Sequence, residues 1–397
     1  VSRCAHLNPV RHYHTQHLAT KIWRPCCIQR CSLRCPGSEI HPFIQTIMPH
    51  DQQPQDQISS DVIDYPARDM TITVGTGISV GQLAKILKQE NQQLPIDVAS
   101  GEMTIRELVD SDISGPRQFG YGTLRDYVIG IEASDGSGRV FHAGGRVVKN
   151  VAGYDLCRLL IGARGQLGTL RHVTFKLKPL PAEHCLTIAA FRSLKDLASA
   201  LDRLNLTSTT PQILDVVNRS ACGSVLQGID PALDLTMLPE AAALLVLGFD
   251  GSHTACEWQT KTVTAELHGT ASTVIACTRG EAVTLYCEAA MMFSHSQPST
   301  QEAWLAKVVT LPSRVDAVLR VAEEFSLKAC GRAGKGIIFL RPGPSVIDEA
   351  TIRSRLSEIV HDCSGFVEFQ TPGETWRYPA AAPTVERYAE SLKKLLG

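Results

Sequence analysis

Twelve of the chain's 30 glycines fall between Ser114 and Leu170, at positions 115, 120, 122, 130, 136, 138, 144, 145, 153, 162, 165 and 168. Glycine loses more backbone freedom on folding than any other residue, so this density is costly inside helices or strands. It is tolerated where the chain must turn sharply or where backbone must approach a ligand without a Cβ in the way. There, N–H groups can cradle anionic oxygens. Two familiar phosphate-binding designs are excluded. No G-x-G-x-x-G opens a helix after a strand in a βαβ unit, and no Gly-Lys-Ser/Thr closes a P-loop.

Around this region the hydrophobic pattern predicts short strands and amphipathic helices. Met70–Val74 alternates and is β-rich, and Ser79 is placed to cap a helix through Val80, Leu83, Ala84 and Leu87. Leu94–Val98 reads as a short strand. Tyr127–Ala133 and Arg139–Ala143, joined through Asp135-Gly136-Ser137-Gly138, read as a hairpin. Leu167–Leu177 is a further strand, ended by Pro179 and Pro181. Beyond Pro181 the rhythm changes. Strands at Leu186–Phe191, Gln212–Val217 and Ala242–Phe249 alternate with helices after Ser193 and over Glu257–Leu267. Trp304–Thr310, Val315–Glu324 and Ile337–Leu340 continue the pattern, which predicts a split-βαβ, ferredoxin-like α+β layer. The domain boundary is expected near Pro179–Ala182.

Composition narrows the function classes. Hydrophobic residues make up 44% and charged residues 20% of the 397, with a formal net charge of −1. Charge alone therefore implies no nucleic-acid or anionic-membrane partner, and no apolar run reaches the roughly 20 residues of a spanning helix. Thirteen cysteines, scattered and odd in number, read as reduced thiols of a cytosolic protein. Residues 1–50 stand apart, with six His, five Cys and one acid, Glu39. Cys27, Cys31 and Cys35 recur every four residues, which matches no common metal or iron–sulfur spacing. A flexible tail, or sequence upstream of a start at Met48, is the preferred reading of residues 1–60 over a metal site.

The glycine-rich region carries a family resemblance. Ser114-Gly115, Gly120-Tyr121-Gly122, Arg125-Asp126, Lys149-Asn150, Gly153-Tyr154-Asp155-Leu156 and Gly165-Gln166-Leu167-Gly168 occur in the order and at the spacing of the PCMH-type FAD-binding (vanillyl-alcohol oxidase) flavoproteins. The wording GGRVVKNVAGYD is similar to the FAD-binding subunit of glycolate oxidases. The resemblance is close from about Tyr65 to Pro181 and looser to the C-terminus. It implies a PCMH-type FAD-binding domain over 61–181, followed by a ferredoxin-like α+β domain over 182–397. It implies FAD as cofactor, with Thr104, Ser114 and Gly115 at the flavin and its pyrophosphate. Gly120, Gly122 and Arg125 would form the ring-side wall, Lys149, Asn150 and Tyr154 would lie beside the cofactor, and Leu170 would meet the adenine end. For Arg125, Tyr154 and Asp155, knitting the loops together is an equal alternative to touching flavin. The partners implied are a catalytic flavin subunit and an iron–sulfur subunit. A cytoplasmic location is implied as well, with peripheral attachment at the inner membrane through the complex left open.

The chain also departs from that pattern. No G-G-G-T or G-G-N-T pyrophosphate loop occurs in residues 1–69, which hold one glycine, Gly37. Thr104-Ile105-Arg106-Glu107 stands where the family has Thr-Leu-Gly-Gly, and Asp110 and Asp112 replace Ala and Asn. The family's closing D-P-x-x-x-L-N-P-G-R-F stretch is not seen before Gly397. His253, His268, His295 and His361 form no H-x-H pair, and no catalytic residue or metal ligand is assigned. Gly331–Gly336 is read as a turn before the Ile337 strand rather than a phosphate loop. Two functions remain: an accessory flavin subunit supporting oxidation of a 2-hydroxy acid, or a non-catalytic scaffold of the same fold that binds little FAD.

Overall fold

The computed structural model describes residues 58–145, 156–229, 233, 240–277, 280–298, 303–343, 349–361, 363 and 365–372. Residues 1–50 and Lys149, Asn150, Tyr154 and Asp155, for which expectations are given above, lie outside them. The described residues belong to one compact unit, Pro54–Gly397.

Two antiparallel sheets organise it. The strands of the first are β1 (Val62–Asp64), β2 (Thr71–Gly75), β4 (Val128–Ser134), β5 (Val140–Gly144) and β6 (Thr169–Lys176), in the order β1-β2-β6-β4-β5. On it pack α1 (Val80–Gln89), α2 (Ile105–Ser111), the single turn α3 (Gln118–Tyr121) and α4 (Leu156–Leu160). Helix α1 starts where its sequence dictates: the Ser79 hydroxyl accepts from the Gln82 N–H, and the Gln82 side chain accepts from the Ser79 N–H. Leu83 and Leu87 then fall on the buried face. The β4–β5 hairpin closes through Asp135, whose carboxylate accepts the N–H groups of Ser137 and Arg139 at 2.9 Å each.

One strand expectation fails. Leu94–Val98 is irregular, because Pro95 brings no N–H to a ladder. Pairing there is confined to β3 (Gln92–Gln93) against β7 (Lys178–Pro179).

The second sheet has eight strands: β8 (Glu183–Phe191), β9 (Ile213–Asn218), β10 (Ala243–Gly251), β11 (Thr273–Cys277), β12 (Leu305–Val309), β13 (Lys328–Arg332), β14 (Ile337–Arg341) and β15 (Phe366–Gln370). Their order is β11-β8-β10-β9-β13-β14-β12-β15. Counted outward from the centre, each half reads second, third, first, fourth strand of its own set. The sheet is therefore one split-βαβ unit repeated and joined edge to edge through β9 and β13. Helices α5 (Leu194–Leu204), α7 (His253–Leu267), α9 (Val315–Glu324) and α10 (Glu349–His361) cover one face. The short α6 (Cys222–Val225) and the long α8 (Gly280–His295) cover the other. Strand β10 shows why its sequence is continuously apolar: Leu245, Leu247 and Phe249 enter the first core, while Leu244 and Val246 enter the second. Helix α7 begins at His253, earlier than periodicity predicts, because Ser252 caps it through the Ala255 N–H.

Candidate functional site

Of the predicted site residues, Thr104, Ser114, Gly115, Gly120, Gly122, Arg125 and Leu170 lie among the described residues. Thr104 is the N-cap of α2. Its hydroxyl accepts from the Glu107 N–H at 3.2 Å and donates to the Glu107 carboxylate at 3.0 Å, while its own N–H reaches the same carboxylate at 2.8 Å. The Ile105 and Arg106 N–H groups donate to the carbonyls of Ile78 and Thr76 at 2.9 Å. The N–H groups that open α2, from Thr104 to Glu107, are therefore all engaged by protein acceptors. Glu107 and Arg106 replace glycines of the related pattern, and each has a structural use. Glu107 closes the capping box and Arg106 pairs with Asp110 at 3.6 Å. Thr104→Ala is expected to lower unfolding free energy by about 1 kcal/mol in a denaturant titration; an unchanged midpoint would refute the capping role.

Past α2 the situation reverses. The Ile113, Ser114 and Gly115 N–H groups have no acceptor among the described residues. Gly115 is buried, and a Cβ there would meet Asp97 and Met291 of α8. Gly120 donates its N–H to the Gln212 carbonyl at 3.1 Å and lies too close to Pro211 and Gln212, just before β9, for a side chain. Gly122 has φ +90°, with the Asp126 carboxylate where a Cβ would go. Arg125 donates to Asp112 at 3.0 Å and to the Ile161 carbonyl at 3.4 Å, tying the end of α2 to the turn after α4. Leu170 is buried in β6, and its carbonyl accepts from the Thr76 hydroxyl at 2.8 Å. Burial pushes the Asp110 and Asp112 carboxyls up, against the opposing pull of Arg106 and Arg125.

Gly115 marks the junction between the two sheets, and the polar groups gathered there are ones the motifs did not reveal. Asp97, almost fully buried, accepts from the Arg117 N–H at 2.8 Å and from Arg117 Nε at 2.6 Å. Behind Met291 lies a second acid–guanidinium pair, Asp215 of β9 and Arg332 of β13, 3.3 Å apart and both fully buried. Tyr286 of α8 donates to Asp215 at 2.8 Å, and Arg332 Nη2 donates to the Ser294 hydroxyl at 3.3 Å. Asp215 Oδ1 and Arg332 Nε have no partner. Desolvation pushes the Asp215 carboxyl up to about 7 despite the nearby guanidinium. A third group joins α3 to the second sheet. The Tyr121 hydroxyl and His184 Nδ1 both bind the Asp250 carboxylate at 2.7 Å. A lone acid in the apolar run Ile213–Val217 was the available signal for Asp215; Asp97 and His184 carried none. Gly331 and Arg332 end β13, and Ala333–Gly336 forms the turn into β14. No cluster of His, Cys, Asp or Glu with metal-binding geometry occurs among the described residues. No helix among them is long and apolar enough to cross a membrane.

The fold is similar to that of solved alkyldihydroxyacetonephosphate synthase. The TM-score is 0.60 at 15% identity, covering 85% of this chain and 65% of that one, a likeness of fold alone. Residues 57–144 match the model of the FAD binding domain family, and that match supports FAD as the cofactor. The chain is similar to glycolate oxidase subunit GlcD of Bacillus subtilis (strain 168), with 25% identity over 297 residues, 70% of this chain and 60% of that protein. It is also similar to glycolate oxidase subunit GlcE of Escherichia coli (strain K12), with 34% identity over 122 residues, 30% of this chain and 35% of that protein. A D-lactate dehydrogenase of Archaeoglobus fulgidus is 27% identical over 134 residues, covering 34% of this chain and 30% of that protein. The chain thus spans about a third to three fifths of the length of these relatives.

The described residues fit a flavin diphosphate at one place and oppose it at another. The Ile113–Gly115 turn presents three successive N–H groups without acceptors, suited to anionic oxygens. The start of α2 presents none, and carries the Glu107 carboxylate instead.

Proposed function

We propose that this chain is the FAD-binding accessory subunit of a glycolate-oxidase-type complex, supporting oxidation of a 2-hydroxy acid and onward electron transfer. The observation that carries this reading is the Ile113–Ser114–Gly115 turn, with three free N–H groups at the junction of the two sheets, inside the segment matched to the FAD binding domain. Ser114 and Gly115 would hold the diphosphate. Thr104, Gly120, Gly122, Arg125 and Leu170 would shape the surrounding wall, and Lys149, Asn150 and Tyr154 would complete it. Residues 61–181 would form the FAD-binding domain and 182–397 the second domain. FAD supplies the two-electron chemistry, while the protein orients it and excludes water. A catalytic flavin subunit would bind the 2-hydroxy acid and an iron–sulfur subunit would take the electrons, in the cytoplasm. The similarity to two glycolate oxidase subunits supports the complex.

A second reading, a scaffold of the same fold with little FAD, is favoured by the engaged start of α2 and by the carboxylates of Glu107, Asp110 and Asp112 along that helix. The visible spectrum separates the two. Protein purified natively, or dialysed against FAD and washed, should retain a flavin spectrum. A well-folded, colourless protein after dialysis would establish the scaffold reading instead. Co-purification of a second flavin subunit and an iron–sulfur subunit tests the complex; a protein isolated alone at native expression would count against it.

A further inference from the structure

Strand β12 carries a lysine where its neighbours are apolar. Ala306 and Val308 enter the core under α9 and α10, while Leu305 enters the core under α8. Side chains alternate along a strand, so Lys307 faces the α8 side with Leu305. Its partners across the ladders are Phe339 of β14 and Glu368 of β15, the outermost strand of the sheet. Phe339 belongs to the core under α8, and His295 at the end of that helix packs on its ring at 5.5 Å. Val367 and Phe369 pack on the opposite face, which puts Glu368 beside Lys307 on the α8 side.

The two charged residues meet in register but do not pair. Directly opposed side chains of an antiparallel ladder have Cβ atoms about 4.5–5.5 Å apart, well within reach of a lysine–glutamate ion pair. Lys307 Nζ instead lies 5.9 Å from the centre of the Phe366 ring, one diagonal step along β15. It makes no hydrogen bond or ion pair among the described residues. Glu368 is nearly fully buried, and its Oε1 has no partner. Lys307 is only half-buried, so a small solute has a way to it.

Desolvation decides where the protons of such residues sit. Burial pulls the Lys307 ammonium down, aided by Arg164 and opposed by Glu368 and Asp112. Burial pushes the Glu368 carboxyl up, against Lys307 and Arg164. In both, burial outweighs the charges and favours the neutral form. Burial also holds the His295 ring down at about 3, so it brings no charge to Lys307.

An amine without its extra proton is a nucleophile, and a protonated carboxyl is a general acid. We propose that Lys307 captures small aldehydes as an imine, with Glu368 delivering and receiving the proton. The nitrogen lone pair bonds to the carbonyl carbon, and the π pair moves to oxygen, which takes up a proton lost by the nitrogen. The C–O bond of that carbinolamine then breaks, and its oxygen leaves as water with the proton of Glu368. The remaining nitrogen proton returns to Glu368. One amine and one aldehyde give one imine and one water, with no oxidant or reductant. Neither retained FAD nor the accessory-subunit role is needed for this reaction.

Reductive alkylation of the full chain with propanal and cyanoborohydride at pH 7, read residue by residue by peptide mass spectrometry, tests it. Cyanoborohydride traps the imine where it forms. Lys307 should be alkylated several times faster than the exposed Lys85 and Lys195. In the urea-unfolded chain that advantage should vanish, since the three side chains then share one ordinary pKa. Glu368→Gln, with native circular dichroism, should slow the reaction at Lys307 and leave Lys85 and Lys195 unchanged, because an amide delivers no proton to the departing oxygen. Lys307 reacting no faster than Lys85 and Lys195 in the folded wild type would overturn the proposal. An advantage that survives unfolding, or an undiminished rate in Glu368→Gln, would overturn it too.

Discussion

Asp215→Ala is expected to lower the unfolding free energy by about 3–5 kcal/mol, read as a shift in the urea midpoint at pH 6. The substitution leaves the Arg332 guanidinium with no carboxyl in a fully buried site, and removes the acceptor of Tyr286. Arg332→Met should be milder, because the two partners have different escapes. An abandoned Asp215 can take up a proton, whereas an abandoned guanidinium cannot lose one. Equal costs for the two variants would contradict this. The same carboxyl sets a pH signature. Its folded pKa of about 7 lies above its ordinary value of 3.8, with burial as the leading cause. The native state therefore holds this proton more tightly than the unfolded chain does. The associated stability is full below about pH 4 and is lost as pH rises through about 7, up to about 4 kcal/mol in all. Wild type should weaken over that window relative to Asp215→Asn, whose curve should be flatter. The gap between wild type and Asp215→Ala should narrow as pH rises; a gap that widens would reverse the assignment.

Gly115→Val should cost about 1–3 kcal/mol by overpacking and reduce flavin retention in the purified protein. An added Cβ would fall 2.7 Å from Asp97 Oδ2 and 2.8 Å from Met291 Sδ. Asp97 cannot yield freely, since Arg117 holds it through both backbone and side chain. The strain is therefore delivered to the turn whose N–H groups face the proposed diphosphate. Gly223→Ala is the control: it lies in helix α6 with nothing within 4 Å of an added Cβ. It should leave stability unchanged or slightly raised. If both variants unfold alike, the packing at Gly115 is not what makes it glycine.

Much of the fold was legible because it rests on local rules. Ser79, Ser193 and Ser252 cap helices through their own neighbours, and Asp135 closes its hairpin within four residues. The unbroken apolar run of β10 reported that both of its faces are buried. Helix α8 escaped notice because it is apolar over most of its surface and shows little periodicity, being packed against the second sheet and the Gly115 turn. Strand β13 and the α10–β15 pair were also unread. Their contribution is to repeat the split-βαβ unit, and no local residue announces a repeat whose two copies share little sequence.

The order and spacing of the glycines, with Arg125 and Asp126 among them, carried the resemblance to FAD-binding domains that residues 57–144 match. Gly122 answers a local backbone requirement, a positive φ, whereas Gly115 and Gly120 are held to glycine by Asp97, Met291 and Gln212 arriving from elsewhere in the fold. Tertiary structure alone decided which polar groups meet. Asp97 and Arg117 are 20 residues apart, His184 and Asp250 are 66 apart, and Asp215 and Arg332 are 117 apart. Those pairings depend on strand order and on the packing of α8, both set by burial of large apolar faces with no sequence proximity. The use of Glu107 belongs to the same category. Read in line, it is an isolated charge; folded, it accepts the Thr104 N–H and hydroxyl and completes the capping box of α2.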